Sequence, residues 1–547
     1  MPPSPFRTFI SSAQTLTALK IISGALIIFG FLTVIAKRVD PDLGIHLAVG
    51  QWNTEHRSIQ EIEIYTHTLE ETRWINTEWV FDIWLYWMHS HNLQWIVTAI
   101  FTALSVIPFL VWIRRTKTLF DLWLVLFTAS LLGQFIGVRP QMISFFFIFL
   151  LLEVLIRIEL AGGVLKRKWL AASIPLFFLF WVNLHPGALA GIVLLGSFFL
   201  AYLIREWRDH KKIEGPEFRY YLSIIVLSVL ATFLTPFNWH LYKEVIQVTR
   251  SSYVSKYIIE WMPLWSFPQI VTLEFIAMFI ALTIRYWKRY SLNFLVSSIV
   301  FCILFVRTAR MGPLFFIVAL PLMIQGVRYL EEEIRESLSK KPLLPQVAFW
   351  LTSLGAGLYL LVLAAIGLAG LVQENETNLL PARAVEVVAT EIREGRATHV
   401  FNDYGWGGYM MWKAPEIKLF IDGRLAHVID KNGDSAMEDY IDVAYSSRDR
   451  DWKEVFMRRK IDIVITMNPK TFIEKEEEKF DALQSIATRI KDIGLVQTIF
   501  ERFLANDATK DDLIGKLQKN GWRIIYEDDI AVVLSCWPNN CPYAETK

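Results

Sequence analysis

Three side chains that can take part in acid–base chemistry lie close together in the segment DPDLGIH, at positions 40–46. Asp40 and Asp42 are carboxylates two residues apart, and His46 adds an imidazole. The segment follows an apolar run at 16–36 that is long enough to span a membrane. Charged groups beside hydrocarbon are costly unless they face water or a partner. Either Asp-Pro simply ends the helix in a turn, or the segment is a reaction centre at the bilayer edge.

The elements that must position this segment are membrane helices. The chain has 547 residues, 54% of them hydrophobic and 14% aromatic, which is unusual for a soluble protein. We predict a polytopic α-helical membrane protein with about eleven spans, each near the length needed for a core of roughly 30 Å. The apolar runs lie at 16–36, 93–113, 119–136, 142–157, 169–184, 187–204, 220–235, 271–284, 292–306, 312–327 and 347–372.

The distribution of Lys and Arg predicts how these spans are oriented. Basic residues are concentrated in alternate loops, which the positive-inside rule assigns to the cytoplasm. No cleavable signal peptide is evident, so we expect a cytoplasmic N-terminus in the inner membrane of a prokaryote. An odd number of spans then places the C-terminal part on the non-cytoplasmic side. The basic loops lie at 114–117, 157–168, 205–219, 285–289 and 328–341.

The chain is predicted to contain two domains. Residues 1–372 form the multi-span domain, with long outer loops at 37–92 and 236–270 that contain amphipathic, Trp-rich segments typical of interfacial helices. Residues 373–547 have shorter apolar runs and frequent charges, and we predict a soluble α/β domain. Its expected elements are a helix in PARAVEVVATEIREG and strands in ATHVFN, IKLFID, IDIVIT and WRIIYED.

Polar side chains recur at the outer ends of the odd-numbered spans. Taken singly, an arginine at a span end is usually an interfacial anchor and a loop histidine is usually structural. Their convergence on one face favours a site that binds an anionic lipid phosphate and stabilises charge on the leaving group. The candidate phosphate-binding residues are Arg139, His185, His240, Arg307 and Arg310, with His46, Asn183 and Asn238 in support.

The two aspartates are the candidate catalytic residues. A hydroxyl that attacks a sugar carbon must lose its proton, and Asp40 or Asp42 can accept it as a general base. The second carboxylate can orient the acceptor or bind a divalent cation, and Asp42 is the candidate for Mg²⁺ or Mn²⁺. No cofactor is otherwise indicated. Because nucleotide sugars are absent outside the cell, the activated donor is expected to be membrane-borne. We favour Asp40 slightly as the base.

The tail contains a second polar motif, FNDYGWGGYMMW, followed by LFIDGR. One interpretation is a surface that binds the acceptor through Asn402, Asp403, Tyr404, Asp422 and Arg424. The alternative is a tight structural turn with an Asp–Arg pair. Cys536 and Cys541 frame a short loop that would close one disulfide in an oxidising compartment.

Several classes of function are excluded. A net charge of +1 without a basic cluster argues against a nucleic-acid partner. The tail has no phosphate-binding glycine loop followed by Lys, no paired Cys or His metal spacing and no nucleophile elbow. We therefore expect no independent enzyme in the tail.

The chain resembles the GT-C superfamily of polytopic glycosyltransferases, which includes protein O-mannosyltransferases, aminoarabinose transferases and the oligosaccharyltransferase catalytic subunit. The resemblance lies in many spans, an acidic segment just after the first span, an interfacial helix in the first outer loop and a C-terminal soluble domain. It implies a polyprenyl-phosphate-linked sugar donor, a glycan, lipid or protein acceptor, and Asp40 or Asp42 as the catalytic or metal-binding acid.

The chain also looks like a family of largely uncharacterised prokaryotic membrane proteins. The similarity is carried by DPDLGIHLAVGQW, WINTEWV, VRPQM, VNLHPGALAG, RTAR and FNDYGWGGYMMW…LFIDGR. This chain departs from their pattern with Gly44 and Ile45, where tryptophans are expected.

Two alternative functions remain open from the sequence. One is a non-catalytic translocator of lipid-linked glycans, or an envelope assembly scaffold. The other is a metal-independent glycan ligase that uses outer-face Arg and His, which would survive loss of both aspartates but not of Arg139 or His185.

Overall fold

The computed structural model describes residues 13–37, 40–266, 270–339, 380–445, 452–469, 513–536 and 541. The chain divides into two compact units. The first comprises Met1–Asp40 and Ile75–Glu376, and the second comprises Pro41–Trp74 and Thr377–Lys547. The segment 41–74, which follows the first span, therefore belongs to the same unit as the tail.

The first unit is helical. Ten of the eleven apolar runs found in the sequence fall on described helices, while the run at 347–372 lies outside the described residues. The helices are Ala13–Lys37, Trp79–Ser90, Gln94–Arg115, Leu119–Gly133, Pro140–Leu160, Lys168–Ala172, Ile174–Leu184, Ala188–His210, Pro216–Ala231, Trp239–Arg250, Ser252–Tyr257, Ile270–Tyr286, Leu292–Arg307 and Gly312–Ser339, with 3₁₀ turns at Ile259–Trp261, Leu264–Ser266 and Ala309–Met311.

Four described helical segments are long and apolar enough to cross a membrane, and three shorter helical segments are also apolar. Large apolar side chains point outward from the first of them, with Phe29 72% exposed. Such exposure is expected where lipid rather than water is the solvent. The four are Gln14–Lys37, Gln94–Arg115, Ala188–His210 and Ala309–Leu338, and the shorter ones are Leu119–Gly133, Lys168–Leu184 and Leu292–Arg307.

Sequence signals explain the ends of the helices that position polar residues. Arg139 precedes Pro140 and is extended, with φ −133° and ψ 142°, because the proline ring disfavours helical backbone in the residue before it. Pro140 then occupies the first turn, where its missing N–H costs nothing. His185 precedes Pro186 and is likewise extended, with φ −165° and ψ 138°. Each Xaa-Pro pair therefore places a polar side chain at a helix end.

The second unit contains a four-stranded mixed sheet in the order β1-β2-β4-β3. β1 and β2 are parallel, and β4 is antiparallel to both β2 and β3. The strands are β1 (Val400–Asn402), β2 (Ile463–Met467), β3 (Arg523–Glu527) and β4 (Ala531–Ser535), and the helices of the unit are Leu43–His56, Ala382–Arg393, Gly407–Lys413, Ala436–Tyr445, Trp452–Arg459 and Leu513–Lys519, with a 3₁₀ turn at Tyr404–Trp406.

One predicted strand of this unit is wrong and one observed strand was not predicted. The segment IKLFID does not form a strand of the sheet; its Leu419 makes a single parallel bridge with Thr66. The Leu419 N–H donates to the Tyr65 carbonyl at 2.8 Å and its carbonyl accepts from His67 N–H at 2.9 Å. β4 is buried throughout, and a short apolar run of this kind shows no strand periodicity.

Candidate functional site

The first unit holds a network of charged side chains around Asp40. The Asp40 residue is 3% exposed, and its Oδ2 accepts a hydrogen bond from Arg139 Nε. Arg139 Nη1 lies 2.6 Å from Glu260 Oε1, and Arg310 Nη1 lies 3.0 Å from Glu260 Oε2. Two carboxylates and two guanidinium groups thus form a continuous chain, which we call the Asp40 network.

Helix ends and short turns bring these four residues together. Arg139 directly precedes the Pro140–Leu160 helix, and Glu260 lies in the 3₁₀ turn Ile259–Trp261. Arg310 lies in the turn Ala309–Met311, whose Ala309 N–H donates to the Met262 carbonyl at 2.9 Å. The Arg310 guanidinium also lies over the Trp261 ring, 4.9 Å from its centroid. Contacts between the two turns therefore hold Glu260 and Arg310 next to each other.

A second polar cluster surrounds His185, which is buried. Its Nδ1 accepts from Gly187 N–H at 2.9 Å and lies 2.7 Å from Ser144 Oγ. Because a backbone N–H can only donate, Nδ1 is an acceptor and the proton of the neutral ring is on Nε2. Nε2 lies 3.4 Å from Glu78 Oε1. The ring is therefore oriented with its N–H toward a carboxylate.

Asn183 belongs to the same cluster. Its Oδ1 accepts from Trp79 Nε1 at 3.2 Å, and its Nδ2 donates to the Leu234 carbonyl at 3.0 Å. Trp79 and Glu78 belong to the segment WINTEWV of the first outer loop. Asn183 and His185 lie at the end of the Ile174–Leu184 helix and contact Trp79 and Glu78, at the start of the Trp79–Ser90 helix.

The remaining candidates of the first unit lie at other positions. Arg307 is the exposed last residue of the Leu292–Arg307 helix. Asn238 has a positive φ of 48° just before the Trp239–Arg250 helix, a conformation that Asn tolerates better than most residues. His240 stacks on the Trp239 ring with centroids 3.9 Å apart. Of the predicted phosphate-binding residues, the described ion pairs join only Arg139 and Arg310 in one network.

Asp42 and His46 lie in the second unit, at the start of the Leu43–His56 helix. His46 is buried, and its N–H donates to the Asp42 carbonyl at 3.2 Å. A side chain built at Gly423 would approach Asp42 Oδ1 to 2.8 Å. The segment DPDLGIH is thus shared between the two units, whose boundary falls after Asp40.

The tail motif builds a buried ion cluster in the second unit. Arg424 Nε and Nη2 donate to the two oxygens of Asp422 at 2.9 and 2.7 Å, and Nη2 lies 2.9 Å from Glu63 Oε2. The guanidinium lies over the rings of Tyr65 and Trp74, 5.2 and 4.6 Å from their centroids. Burial raises the pKa of Glu63, which Arg424 partly offsets. Burial also disfavours the charged form of Arg424, but Asp422 and Glu63 more than compensate and raise its pKa.

The other tail residues mostly satisfy backbone groups. Asn402 is fully buried; its Oδ1 accepts from Phe420 N–H at 2.8 Å and its Nδ2 donates to the Ile421 carbonyl at 2.9 Å. Asp403 Oδ1 accepts from Gly405 N–H at 3.1 Å. Buried and engaged side chains are poorly placed to contact an acceptor, so these contacts favour the structural alternative for Asn402, Asp422 and Arg424. Tyr404 is half-buried.

A disulfide joins Cys536 to Cys541 in the same unit. Cys536 follows β4, and its N–H donates to the Asp462 carbonyl at 3.2 Å. The bridge therefore holds Cys541 beside Cys536, at the end of β4.

The described residues do not supply an evident metal site. No group of three or more His, Cys, Asp or Glu side chains among them is arranged to hold a metal ion, and Asp40 is paired with Arg139. Mg²⁺ and Mn²⁺ prefer about six oxygen ligands. The donor set around Asp40 does not fit such an ion, and a cation at Asp42 stays a prediction.

Two functional candidates were not found from the sequence. Glu260 lies in the segment 236–270, for which the sequence predicts only an interfacial helix, and its arginine partners are 121 and 50 residues away along the chain. Glu78 lies in WINTEWV, a motif used for the resemblance but without an assigned role. The available signal for both was an acidic residue in an outer loop that otherwise faces several arginines and histidines.

Comparison with solved structures shows that the fold is similar to that of an oligosaccharyltransferase. The oligosaccharyltransferase of Archaeoglobus fulgidus, tethered with an acceptor peptide, has a TM-score of 0.50 and 10% identity, over 84% of this chain and 70% of its own. ArnT from Cupriavidus metallidurans, bound to undecaprenyl phosphate, has a TM-score of 0.46 and 11% identity, over 97% of this chain and 99% of its own. At this identity the similarity establishes the fold alone.

No protein-family model and no curated protein matches the sequence.

Proposed function

We propose that the chain is a membrane glycosyltransferase that transfers a sugar from a polyprenyl-phosphate-linked donor to an acceptor at the non-cytoplasmic face. The Asp40 network carries the proposal, because it combines a buried carboxylate with two arginines in a membrane protein of the GT-C fold. The fold likeness to a transferase supports the reaction class. The undecaprenyl phosphate bound to ArnT suggests the chemistry of the donor.

The proposed chemistry assigns each group one task. The acceptor hydroxyl attacks the anomeric carbon of the sugar as the bond between that carbon and the phosphate oxygen breaks. Asp40 accepts the hydroxyl proton. Arg139 and Arg310 hold the phosphate, whose negative charge increases as it leaves, through charge-assisted hydrogen bonds. The products are the glycosylated acceptor and the polyprenyl phosphate.

Glu260 occupies the position that this phosphate requires. Its two carboxylate oxygens bridge Arg139 and Arg310 at 2.6 and 3.0 Å, which is how two oxygens of a phosphate would bind a pair of guanidinium groups. Because both are anions on the same two donors, binding of the donor phosphate requires Glu260 to leave at least one arginine. We therefore assign Glu260 as the group that the donor displaces.

The cluster around His185 would support the acceptor side of the reaction. The Nε2–H of His185 faces the Glu78 carboxylate at 3.4 Å, and the pair offers both a donor and an acceptor to a hydroxylated ligand. Asn183 fixes the neighbouring Trp79 by accepting its indole N–H. The rigid Trp79 ring would then position an acceptor beside the bilayer.

The membrane topology, the donor and the acceptor in this proposal are taken from the sequence-based predictions. About eleven spans, a cytoplasmic N-terminus and a non-cytoplasmic tail would place Asp40 on the side where lipid-linked donors are consumed. The donor sugar and the acceptor are defined only by class, as a polyprenyl-phosphate sugar and a glycan, lipid or protein.

Replacing Asp40 tests the proposal most directly. We expect Asp40→Asn to lower the rate of sugar transfer by about 10²-fold or more, which is the usual contribution of a general base. The measurement is the profile of glycans and lipid-linked sugars in a deletion strain complemented with each variant at equal expression. Asp209→Asn is the control, because Asp209 is an exposed carboxylate of the same unit that pairs with Arg208 and lies outside the Asp40 network. Unchanged profiles with Asp40→Asn would refute the role of Asp40.

Phosphate binding is measured separately on the purified full-length protein. We expect Arg139→Gln and Arg310→Gln each to weaken binding of undecaprenyl phosphate, whereas Arg250→Gln, at an exposed arginine outside the Asp40 network, leaves it unchanged. Equal losses with all three variants would show a non-specific effect of charge and contradict the assigned phosphate site.

A further inference from the structure

A second polar site lies in the first unit, at the opposite ends of the helices that hold the Asp40 network. The Pro140–Leu160 helix begins beside Arg139 and ends beside Glu159. Its 21 residues rise 1.5 Å each, which separates the two ends by about 30 Å. The Leu292–Arg307 helix runs the other way, with Asn293 in its first turn and Arg310 just beyond its end. The second site is therefore distinct from the Asp40 network.

This site is a cavity of about 260 Å³. Its charged lining consists of three carboxylates, from Glu159, Glu206 and Glu217, and one guanidinium, from Arg205. This volume is large enough to hold several water molecules. A cavity with this surplus of negative charge has room for a small cationic group.

Glu159 and Glu217 accept hydrogen bonds from Ser291, Asn293 and Val164, but two other acceptors in the cavity, on Asn293 and Glu206, have no donor among the described residues. Asn293 lines it and is 5% exposed, and within the described residues its Oδ1 has no hydrogen-bond partner. Its Nδ2 donates to Glu159 Oε2 at 2.5 Å, which fixes the amide orientation. No hydrogen bond or ion pair is described for Glu206 in the covered ranges, and Arg205 Nη1 remains 3.9 Å from Glu159 Oε1. A buried acceptor without a donor is costly, so the site favours a ligand that brings several N–H groups.

The loop after the Pro140–Leu160 helix positions the Glu217 carboxylate in the wall of the cavity. Gly163 has a φ of +115°, and a side chain there would overlap the Glu217 carboxylate. Val164 N–H donates to Glu217 Oε1 at 3.1 Å. The glycine therefore permits the close approach that places Glu217 in the cavity wall.

The surroundings of the cavity indicate that its cationic ligand is part of a membrane lipid. Arg157, Lys166 and Arg167 are exposed on the adjoining helix end and loop, in a region that the positive-inside rule assigns to the cytoplasmic surface. Leu160 and Trp169 are 83% and 81% exposed in the same segment, as is typical of side chains at the lipid boundary. An acidic cavity, a basic rim and apolar neighbours match the three parts of a zwitterionic phospholipid.

We propose that the cavity binds the primary ammonium headgroup of a phosphatidylethanolamine-type lipid. The ammonium group would donate to Asn293 Oδ1 and to the Glu206 and Glu159 carboxylates. The lipid phosphate would contact the basic rim, and the acyl chains would remain in the bilayer. A choline headgroup has the same charge but no N–H donor, so it satisfies neither Asn293 nor the hydrogen-bonding capacity of the carboxylates.

Lipid retention by the full-length protein tests this site. Native mass spectrometry after exchange into mixed micelles would count dioleoyl phosphatidylethanolamine and dioleoyl phosphatidylcholine bound to the protein. We expect about tenfold preferential retention of the ethanolamine lipid, the value of one charge-assisted hydrogen bond. Equal retention of the two lipids would overturn the proposal.

Variants locate the binding to the cavity. We expect Asn293→Leu and Glu206→Gln each to remove most of the preference. Glu214→Gln is the matched control, because Glu214 is exposed, pairs with Lys212 at 3.5 Å and does not line the cavity. Glu206→Gln keeps the test valid if Asn293→Leu does not fold. A preference that survives Glu206→Gln would overturn the assignment.

The last arm distinguishes a lipid from a soluble ligand of the same chemistry. Phosphoethanolamine added to the micelles is expected to displace the lipid only weakly, because it lacks the acyl chains. Displacement at concentrations equal to those of the lipid would show that the cavity serves a soluble amine, and would overturn the lipid as its occupant.

Discussion

Glu260 has the least expected role of the residues in the Asp40 network. It is accessible at the surface of the network, in a short 3₁₀ turn, while Asp40 is buried. Its carboxylate is the only one described between Arg139 and Arg310 in the covered part of the chain. An anion on a partly exposed turn can leave two arginines at lower cost than a buried one, which suits a group that donor binding displaces.

Removing the Glu260 charge is therefore expected to strengthen donor binding. Glu260→Gln should raise the affinity of the purified protein for undecaprenyl phosphate by about tenfold, because the lipid no longer competes with a charge-assisted ion pair. Glu244→Gln, in the neighbouring Trp239–Arg250 helix, is the control. Weaker binding in Glu260→Gln would show instead that Glu260 positions the arginines for the phosphate.

At the level of elements, the Leu43–His56 helix packs directly on the glycine motif of the tail within the second unit. Gly44 lies so close to the Gly408 carbonyl that a side chain at position 44 would overlap it. In turn, a side chain at Gly408 would approach the Pro41 carbonyl to 2.5 Å. Gly44, which replaces the tryptophan expected from the resemblance, is thus part of a backbone-to-backbone contact.

We expect Gly44→Ala to destabilise the protein, because the added methyl group must push the helix away from Gly408. A cost of about 1–3 kcal/mol is typical of overpacking, and it would appear as a lower unfolding temperature of the full-length protein. Gly405→Ala is the control, since a methyl group there meets Asp403 Oδ1 at an ordinary 3.7 Å. Equal melting temperatures for Gly44→Ala and the parent would contradict the close contact.

The sequence predicted the elements better than their partners. The length of the apolar runs located ten segments that fall on described helices, and position after a run located Asp40, Arg139 and Arg310. The ion pairs that join these residues depend on packing between distant helix ends, which no local pattern encodes. For the same reason Glu63 was not recognised as the partner of Arg424, although the Asp422–Arg424 pair, which is local, was considered.

At the scale of the whole chain, segment 41–74 belongs with the tail to the second unit, and its His67 makes that unit sensitive to pH. His67 Nε2 lies 3.0 Å from the Val400 carbonyl, and its ring packs edge-on against His399 and Phe420. Burial lowers the pKa of His67 to about 3, with a further contribution from the neighbouring His399 and Arg459. The folded protein therefore keeps His67 neutral over a range in which an unfolded histidine is protonated.

The direction of the pH effect follows from this difference. Above the ordinary histidine pKa of 6.5 both states are neutral at His67, and its contribution to stability is fully present. As the pH falls from 6.5 toward about 3, only the unfolded chain gains the proton, which lowers the free energy of unfolding by up to about 1.4 kcal/mol per pH unit. Glu63 acts in the opposite direction, because its raised pKa favours protonation of the folded state.

A comparison of variants separates the contribution of His67 to the pH dependence of stability from that of Glu63. We expect the unfolding temperature of the full-length protein to fall more steeply between pH 6.5 and 4.5 than that of His67→Gln, whose amide can still donate to the Val400 carbonyl but does not titrate. His56→Gln is the control, because His56 is exposed in the same unit and its removal should leave the slope unchanged. Parallel pH profiles for the parent and His67→Gln would contradict this prediction. They would show that His67 is protonated equally in the folded and unfolded states, so that its burial in the second unit does not change its pKa.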